Sequence, residues 1–274
     1  MHSTLFLLVQ KGLISDYHIY IIEQSDDQRK FNRGKLLNIG FDLARQNQFK
    51  GKFRSRDESL LKTLPSHDIL IFHDVDLFSD NVLAKSYGCV PSTPLHIARV
   101  WDRYSNNAKY FGGIVSFSAK DMVRINGHPN NFWGWGGEDD EMQKRCEALG
   151  IKWDSPVEGS ITDMEEMSLK EKLNFLRSNK EWKCMTKWEA LDEHATTWKQ
   201  NGLADLHYKV QQVMDLDELR VKQLKEKKEQ QSNSPITTIR SHATKITVNV
   251  MLNGKHWTNK KCAVDYMPPP NQSR

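Results

Sequence analysis

Two aspartates separated by one residue, Asp74 and Asp76, follow a short, mostly apolar run at residues 68–73. In an extended chain, side chains two residues apart project from the same face, so both carboxylates would lie together where a buried strand ends. Carboxylate oxygens are preferred ligands of Mn²⁺ and Mg²⁺, and such an ion neutralises a diphosphate that it bridges. The pair therefore predicts a divalent-metal site for a phosphorylated ligand, with a solvated strand end as the alternative.

A second group of residues that could bind a ligand or take part in catalysis lies at residues 130–141, in the order NNFWGWGGEDDE. An indole offers a flat apolar face to the C–H groups of a sugar, and glycines let a backbone close over a ligand. The four acids open a predicted helix, whose dipole favours negative charge there, and one of them has the chemistry of a general base toward a sugar hydroxyl. A buried tryptophan pair before an ordinary acidic helix start is the alternative.

The helices and strands that the sequence predicts must position these two groups of residues. Helical and strand-like patterns alternate along the first 150 residues. We predict helices at residues 1–13, 36–46, 119–125 and 138–149, and strands at residues 17–23, 68–73, 110–118 and 246–252. The alternation predicts an α/β fold in which helices flank a mixed, mainly parallel sheet. Ligands of such sheets bind beyond the carboxyl ends of the strands, which is where Asp74 and Asp76 fall.

The composition excludes several classes of protein. The 274 residues include 39 Lys and Arg against 35 Asp and Glu, a net charge of +4 that does not indicate a nucleic-acid-binding protein. No run approaches the roughly 20 apolar residues of a membrane-spanning helix. The four cysteines form no CxxC pair, which excludes a zinc knuckle and a disulfide-dense miniprotein.

Four motifs, taken in order, resemble the β-1,4-galactosyltransferase family. They are FNRG at 31–34, FHDVDL at 72–77, YFGG at 110–113 and NGHPNNFWGWGGEDD at 126–140. The resemblance implies a GT-A-like, Rossmann-like fold and inverting transfer of galactose from UDP-galactose, in β-1,4 linkage, to a terminal GlcNAc or xylose of a glycan, glycoprotein or proteoglycan. It also implies Mn²⁺ or Mg²⁺ as cofactor, a UDP-sugar donor and a glycan acceptor as partners, and the Golgi lumen as location.

The same motifs imply which residues form the site. Asp139 matches the proposed base for the acceptor hydroxyl, and Asp76 matches the metal-ligating aspartate. The implied donor-binding residues are Phe31, Arg33, Asp74, Val75, Asp76, Trp135 and Glu138. The implied acceptor-binding residues are Tyr110, Gly113, Asp139 and Asp140.

The sequence departs from the family after the acidic helix, where the family completes its metal site with Met or Tyr and then His. Residues 159–167 contain no His. Met164 falls at the Met position, and Glu166 or Met167 falls where His would be, with Asp163 as another source of an oxygen ligand. We therefore expect Met164 and Glu166 to join Asp76, and an oxygen ligand would favour Mg²⁺ or Mn²⁺.

A second departure lies at the start of the chain. The family's nucleotide-binding strand ending in P-F-R-x-R, its stem and its membrane anchor have no match in this sequence. We expect residues 1–214 to be a glycosyltransferase catalytic domain without its first strand, from a full-length form anchored by an N-terminal helix. We expect a charged helix or linker, a strand and a polar tail at residues 215–274. Three alternatives remain: a glycan-binding pseudoenzyme, a transferase that uses UDP-GalNAc, and a metal-dependent hydrolase.

Overall fold

The computed structural model describes residues 1–26, 29–45, 69–216 and 243–250, and these ranges contain eight helices and eight strands. The helices are α1 His2–Gln10, α2 Arg33–Arg45, α3 Ala84–Tyr87, α4 Ala119–Arg124, α5 Glu138–Ala148, α6 Leu169–Ser178, α7 Lys187–Asp192 and α8 His194–Thr197. The strands are β1 Ile19–Gln24, β2 Leu70–His73, β3 Leu77–Ser79, β4 Leu95–His96, β5 Ile114–Phe117, β6 Ile161–Asp163, β7 Lys209–Asp215 and β8 Ala243–Asn249. Each predicted helix and strand coincides with one of these elements.

The strands of the described residues form three sheets, ordered β1-β8-β7, β2-β5-β4 and β3-β6. Only β1 and β8 pair in parallel, and the other neighbours are antiparallel. The α/β class is confirmed, but the expected mainly parallel character is wrong for these residues. Parallel neighbours need a crossover, usually a helix that packs across the sheet. Between β4 and β5 the chain forms only two short 3₁₀ turns, Ile97–Val100 and Asp102–Tyr104, and returns antiparallel.

Strand β8 holds the first sheet together, because it lies between β1 and β7. Its side chains alternate between buried and half-buried, and Ile246 and Val248 are fully buried. They pack against Leu36, Ile39 and Leu43 of α2 in one apolar cluster. The late strand expected after residue 214 is thus part of the unit that carries α2. The domain boundary itself stays a prediction, and the expected linker beyond residue 216 and the polar tail lie outside the described residues.

Helix α5 is anchored through Arg145, which forms an ion pair with Glu141 one turn earlier; both side chains are 0% exposed. Arg145 also donates to the carbonyl oxygens of Asn126 and Gly127, and at 2.6 Å to that of Asn201. A buried guanidinium needs such partners, because an unpaired charge in the interior is strongly destabilising. The network fixes the start of α5 relative to the loop that precedes it.

We expect Ile246→Ala to lower the free energy of unfolding by about 2–4 kcal/mol, because it leaves a cavity between β8 and α2. Chemical denaturation measures this loss. The matched control is Lys245→Ala on the same strand, where the half-exposed ammonium pairs with Glu23, and where we expect a loss below about 1 kcal/mol. Equal losses of unfolding free energy in the two variants would show that the buried face of β8, which includes Ile246, does not contribute more to stability than the exposed face.

Candidate functional site

Arg33, the first residue of α2, joins the two acidic motifs. Its Nε donates to Oδ1 of Asp74 at 2.6 Å, and its Nη1 donates to Oδ1 of Asp139 at 2.9 Å. Oε1 of Glu138 lies 3.7 Å from the same Nη1. Burial alone would lower the pKa of Arg33, but Asp139, Asp74 and Glu138 together raise it well above its ordinary value. One permanent cation therefore faces three carboxyl groups.

Glu138 and Asp139 begin α5 with carboxyl groups that are poorly solvated. Burial raises the pKa of both, Arg33 opposes the increase, and Asp74 adds to it. Oε2 of Glu138 is buried without a hydrogen-bond partner in the described residues. A carboxylate whose pKa is raised toward neutrality is a better proton acceptor than an ordinary one, so this pair is suited to general-base chemistry.

The glycine-rich loop before α5 has a backbone that only glycine adopts readily. Gly136 and Gly137 have φ angles of 104° and 107°. A Cβ atom on Gly137 would lie 2.3 Å from ring carbons of Phe132. The N–H of Trp135 donates to the carbonyl oxygen of Trp182 at 2.7 Å, so the segment after α6 holds this loop in place. The indole of Trp135 is therefore presented from a loop that a second segment supports.

Tyr110, Gly112 and Gly113 form a floor against Asp139, and we use that term for these three residues. The ring of Tyr110 stacks on that of Tyr104, with centroids 3.8 Å apart. A Cβ atom on Gly113, where φ is 72°, would lie 3.0 Å from Oη of Tyr110. A Cβ atom on Gly112 would lie 2.0 Å from Oδ2 of Asp139. The two glycines thus leave room for the Asp139 carboxylate and the Tyr110 hydroxyl.

Asp140 points toward α7 rather than toward Arg33. Its Oδ2 forms an ion pair with Nζ of Lys187 at 2.6 Å, and the Asp140 side chain is 48% exposed. Sequence reasoning did not identify Lys187, because nothing in the local pattern of α7 relates it to a helix 47 residues earlier. A ligand hydroxyl that binds Asp140 must share this carboxylate with Lys187.

The D-x-D element has a different geometry from the one expected. The chain turns at Val75 and Asp76, so the expectation of two carboxylates on one face of an extended chain is wrong. Asp74 pairs with Arg33, whereas Asp76 groups with Asp163 and Glu165, whose ligand oxygens lie within 4.8 Å of one another. Val75, at the turn, is 86% exposed. The two aspartates therefore belong to neighbouring but separate polar groups.

Two cations accompany the acidic group formed by Asp76, Asp163 and Glu165. Arg103 pairs with Asp163 and, at 2.7 Å, with Glu165, and Lys172 pairs with Glu165. Among the described residues Asp76 has no ion pair, and burial followed by repulsion from Asp74 raises its pKa. An all-oxygen donor set is the chemistry of a Mn²⁺ or Mg²⁺ site, and the group fits such an ion with Asp76 as its unpaired ligand.

Met164 and Glu166, expected from the resemblance to join Asp76, lie beside this acidic group. The N–H of Met164 donates to the carbonyl oxygen of Asp76 at 2.9 Å, but its side chain is 59% exposed. Glu166 is exposed, has a φ of 53° and is not among the three grouped acids. The neighbouring acids take the inward positions: Asp163 is the last residue of β6, and Glu165 lies in the turn that follows it. Asp163 was named as an oxygen donor from sequence, and Glu165 was missed.

One cleft of 1720 Å³ unites most of these groups. It is lined by ten residues assigned to the site from sequence: Phe31, Arg33, Asp74, Val75, Asp76, Tyr110, Trp135, Glu138, Asp139 and Asp140. Arg103, Glu165, Lys172 and Lys187 line it as well. The structure therefore brings together the residues assigned to donor and acceptor, and Gly113, which does not line the cleft, lies next to the Tyr110 hydroxyl.

Two family models match the chain. The model described as the N-terminal region of glycosyl transferase group 7 matches residues 2–90, and that described as the N-terminal domain of galactosyltransferase matches residues 93–169. Mouse β-1,4-galactosyltransferase 4 is 32% identical over 205 residues, which cover 72% of this chain and 51% of the relative. Bovine β-1,4-galactosyltransferase 1 is 35% identical over 144 residues, which cover 52% of this chain and 31% of the relative. The chain thus spans about half or less of the curated relatives it matches.

Solved structures of a fly enzyme share the fold. The catalytic domain of Drosophila β1,4-galactosyltransferase 7 in complex with xylobiose has a TM-score of 0.60 at 21% identity, over 92% of this chain and 87% of that one. A mutant of the same enzyme, in complex with manganese, UDP-Gal and xylobiose, has a TM-score of 0.56 at 21% identity, over 92% and 90%. These matches confirm the expected GT-A-like α/β fold.

We expect Asp139→Asn to stabilise the protein increasingly as the pH rises. The pKa of Asp139 is raised on folding, so the native state binds this proton more tightly, and wild-type stability falls between the ordinary carboxyl pKa and the raised one. The variant lacks this decline. The Tm of the variant minus that of the wild type should therefore be larger at pH 8 than at pH 5.

Asp80→Asn provides a control of opposite sign. The carboxylate of Asp80 accepts hydrogen bonds from the N–H groups of Val82, Leu83 and Ser160, and its pKa is lowered. Its stabilisation is present above the ordinary carboxyl pKa and is lost as the pH falls through the lowered one. Asp80→Asn should therefore lower Tm at neutral pH and less so near pH 3. A Tm difference for Asp139→Asn that does not change with pH would contradict the raised pKa of Asp139.

Proposed function

The chain belongs to the β-1,4-galactosyltransferase family, and we propose that it transfers galactose from UDP-galactose, with inversion and in β-1,4 linkage, to a terminal GlcNAc or xylose of a glycan, glycoprotein or proteoglycan. The observation that carries this proposal is the setting of Asp139. Its carboxylate combines a raised pKa, an ion pair with Arg33 and a close approach to Gly112 of the floor, and Asp139 lines the cleft together with Tyr110. Such a carboxylate can accept a proton from a sugar hydroxyl lying on that floor.

The proposed chemistry is one displacement. The acceptor hydroxyl gives its proton to Asp139 as its oxygen attacks C1 of the galactose. The new C1–O bond forms on the face opposite the breaking bond to the diphosphate, and UDP leaves with the electron pair. A single attack from the opposite face inverts the configuration, so the site needs one base and no covalent nucleophile. Arg33 keeps Asp139 partly ionised in the free enzyme, because its charge opposes the effect of burial.

We assign the donor to the side of the cleft near Arg33. Phe31, which is 54% exposed at the cleft edge, offers an apolar surface to the uridine, and Arg33 offers charge to the diphosphate. The unpartnered Oε2 of Glu138 is placed to accept a hydrogen bond from a hydroxyl of the donor sugar. Trp135 would close over the donor from the glycine loop. Asp74 and Val75 complete this side.

We assign the acceptor to the side formed by Tyr110, Gly113, Asp139 and Asp140. The stacked Tyr110 ring gives a flat apolar surface of the kind that sugar rings contact. Asp140 would accept a second acceptor hydroxyl once its pairing with Lys187 loosens. The floor does not distinguish GlcNAc from xylose, so both stay within the proposal.

Asp76 is the residue we assign to the cofactor, with Asp163 and Glu165 as the neighbouring oxygen donors and Met164 and Glu166 as the ligands expected from the resemblance. A bound Mn²⁺ or Mg²⁺ would neutralise the charge that develops on the departing UDP. Arg103 and Lys172 would hold Asp163 and Glu165 in place when no ion is bound.

Two further parts of the proposal concern location and specificity. We place the full-length protein in the Golgi lumen as a membrane-anchored enzyme, in keeping with the family resemblance. Within the described residues, no helix has the length and apolar content to cross a membrane. UDP-GalNAc as donor, and a glycan-binding pseudoenzyme, are the two alternatives that the experiments below distinguish.

The transfer proposal is tested by following UDP release and product formation with UDP-galactose and a panel of GlcNAc and xylose glycosides. We expect transfer by the wild type, and a loss of about 10²-fold or more in kcat for Asp139→Asn, with UDP affinity nearly unchanged, because only the proton acceptor is removed. The exposed Asp102→Asn is the matched control and should transfer at the wild-type rate. Transfer from UDP-GalNAc but not from UDP-galactose would show that the donor is UDP-GalNAc. Binding of the acceptor without any transfer would favour the pseudoenzyme.

The metal assignment is tested by calorimetry of UDP binding with and without Mn²⁺. We expect Mn²⁺ to tighten UDP binding by about tenfold or more, equivalent to about 1.4 kcal/mol, and Asp76→Asn to abolish this gain. Asp102→Asn should retain it. If Mn²⁺ has no effect on the wild type, the acidic group formed by Asp76, Asp163 and Glu165 is not a metal site for the donor.

A further inference from the structure

His96 is a buried polar residue directly behind the floor of the cleft. It is 0% exposed, and its N–H in β4 donates to the carbonyl oxygen of Asp154 at 2.8 Å. Its Nε2 lies 3.0 Å from the carbonyl oxygen of Gly112. None of the four motifs includes His96, and the transfer chemistry does not use it. The side chain therefore contacts the floor at Gly112, although His96 itself does not line the cleft.

The ring of His96 is held in one orientation. Its centroid lies 5.4 Å from the rings of both Tyr110 and Phe111, with edge-type angles of 66° and 67°. Nδ1 is buried without a hydrogen-bond partner in the described residues. The hydrogen bond to a carbonyl therefore assigns the proton of a neutral ring to Nε2. Burial also lowers the pKa of His96 to about 4, so the ring is a neutral donor at ordinary assay pH.

The Gly112 peptide connects His96 to the proposed base. Its carbonyl oxygen accepts from Nε2 of His96 and from the N–H of Ile114 at 2.9 Å, while its Cα carries no side chain toward the cleft. The direction in which a Cβ would project leads to the Asp139 carboxylate, 2.0 Å from Oδ2. A rotation of this peptide would therefore move the surface on which Asp139 rests.

We propose that His96 is a positioning residue that fixes the Gly112 peptide, and through it the distance between the acceptor floor and Asp139. The proposal rests on the proposed function for its catalytic consequence. An apolar residue of similar size would fill the same space, but it would leave the Gly112 carbonyl with the Ile114 bond alone. The edge-type contacts with Tyr110 and Phe111 supply packing, whereas the Nε2–H bond sets the orientation of the Gly112 peptide.

The test compares His96→Phe, which keeps a ring and removes the donor, with His96→Gln, whose amide N–H reaches about as far as Nε2. Leu43→Ala is the control for lost stability, because Leu43 is buried in the cluster between α2 and β8. Three quantities are measured at matched distance below Tm: acceptor kcat/KM, UDP affinity, and hydrogen exchange of the Gly113 and Ile114 amides.

We expect His96→Phe to lower acceptor kcat/KM by about tenfold or more, with UDP affinity within about twofold of wild type, because a small misplacement of a reacting group slows the chemistry without removing donor contacts. His96→Gln should recover much of the loss. The two amides should exchange faster in His96→Phe than in His96→Gln or Leu43→Ala. An equal loss of acceptor kcat/KM in His96→Phe and His96→Gln would overturn the proposal, and so would a loss of UDP affinity as large as the loss of kcat/KM.

The outcomes separate this proposal from the proposed function. If the wild type transfers no sugar, the proposed function fails, and the exchange rates alone decide whether His96 fixes the floor. Unchanged exchange of Gly113 and Ile114 in His96→Phe would then reject the positioning role. If His96→Phe does not fold, His96→Gln is compared with His96→Leu in the same three measurements.

Discussion

The charge of Arg33 is the element on which the geometry of the cleft depends. Asp74 ends one strand region and Asp139 begins a helix, and both reach the same guanidinium. With Glu138 nearby, three carboxyl groups would repel one another in a poorly solvated space without this cation. Their spacing, and the share of Asp139 that is ionised, follow from a single side chain that keeps its charge at all ordinary pH values.

The rest of the fold holds in place the two helices that carry Arg33, Glu138 and Asp139. Helix α2 carries Arg33 and is packed by Leu36 and Ile39 against β8. Helix α5 carries Asp139, and Arg145 of the buried Glu141–Arg145 pair joins it to the preceding loop by donating to the carbonyl oxygen of Gly127. Apolar packing therefore fixes the first helix, and hydrogen bonds from the buried Arg145 guanidinium to loop carbonyl oxygens fix the second. The ion pairs of Arg33 in the cleft therefore connect two helices whose positions are set by other contacts.

Much of the site was visible in the sequence because its motifs are local. The positive-φ glycines at 136 and 137 and the acids that begin α5 lie in one continuous stretch, so spacing alone predicts a ligand-closing loop and a helix start. The D-x-D element was found but its geometry was not, since the spacing does not reveal the turn at Val75 and Asp76 that separates Asp76 from the Asp74–Arg33 pair. Lys187 and Arg103 were missed for the same reason. Their roles come from contacts with acids 47 and 60 or more residues away, which leave no periodic signal.

The parallel pairing of β1 with β8 has a consequence for how the protein is made. Glu23 and Thr247 touch across 224 positions of chain, so this sheet has very non-local contacts. Bringing β1 and β8 together closes a long loop and costs conformational entropy before the contacts between the strands can offset that cost. Folding is slower for this reason. On the ribosome, β1 and α2 emerge long before β8 is synthesised, and an edge of β1 stays open during that interval. The sheet formed by β1, β8 and β7 is therefore completed only after translation has passed β8.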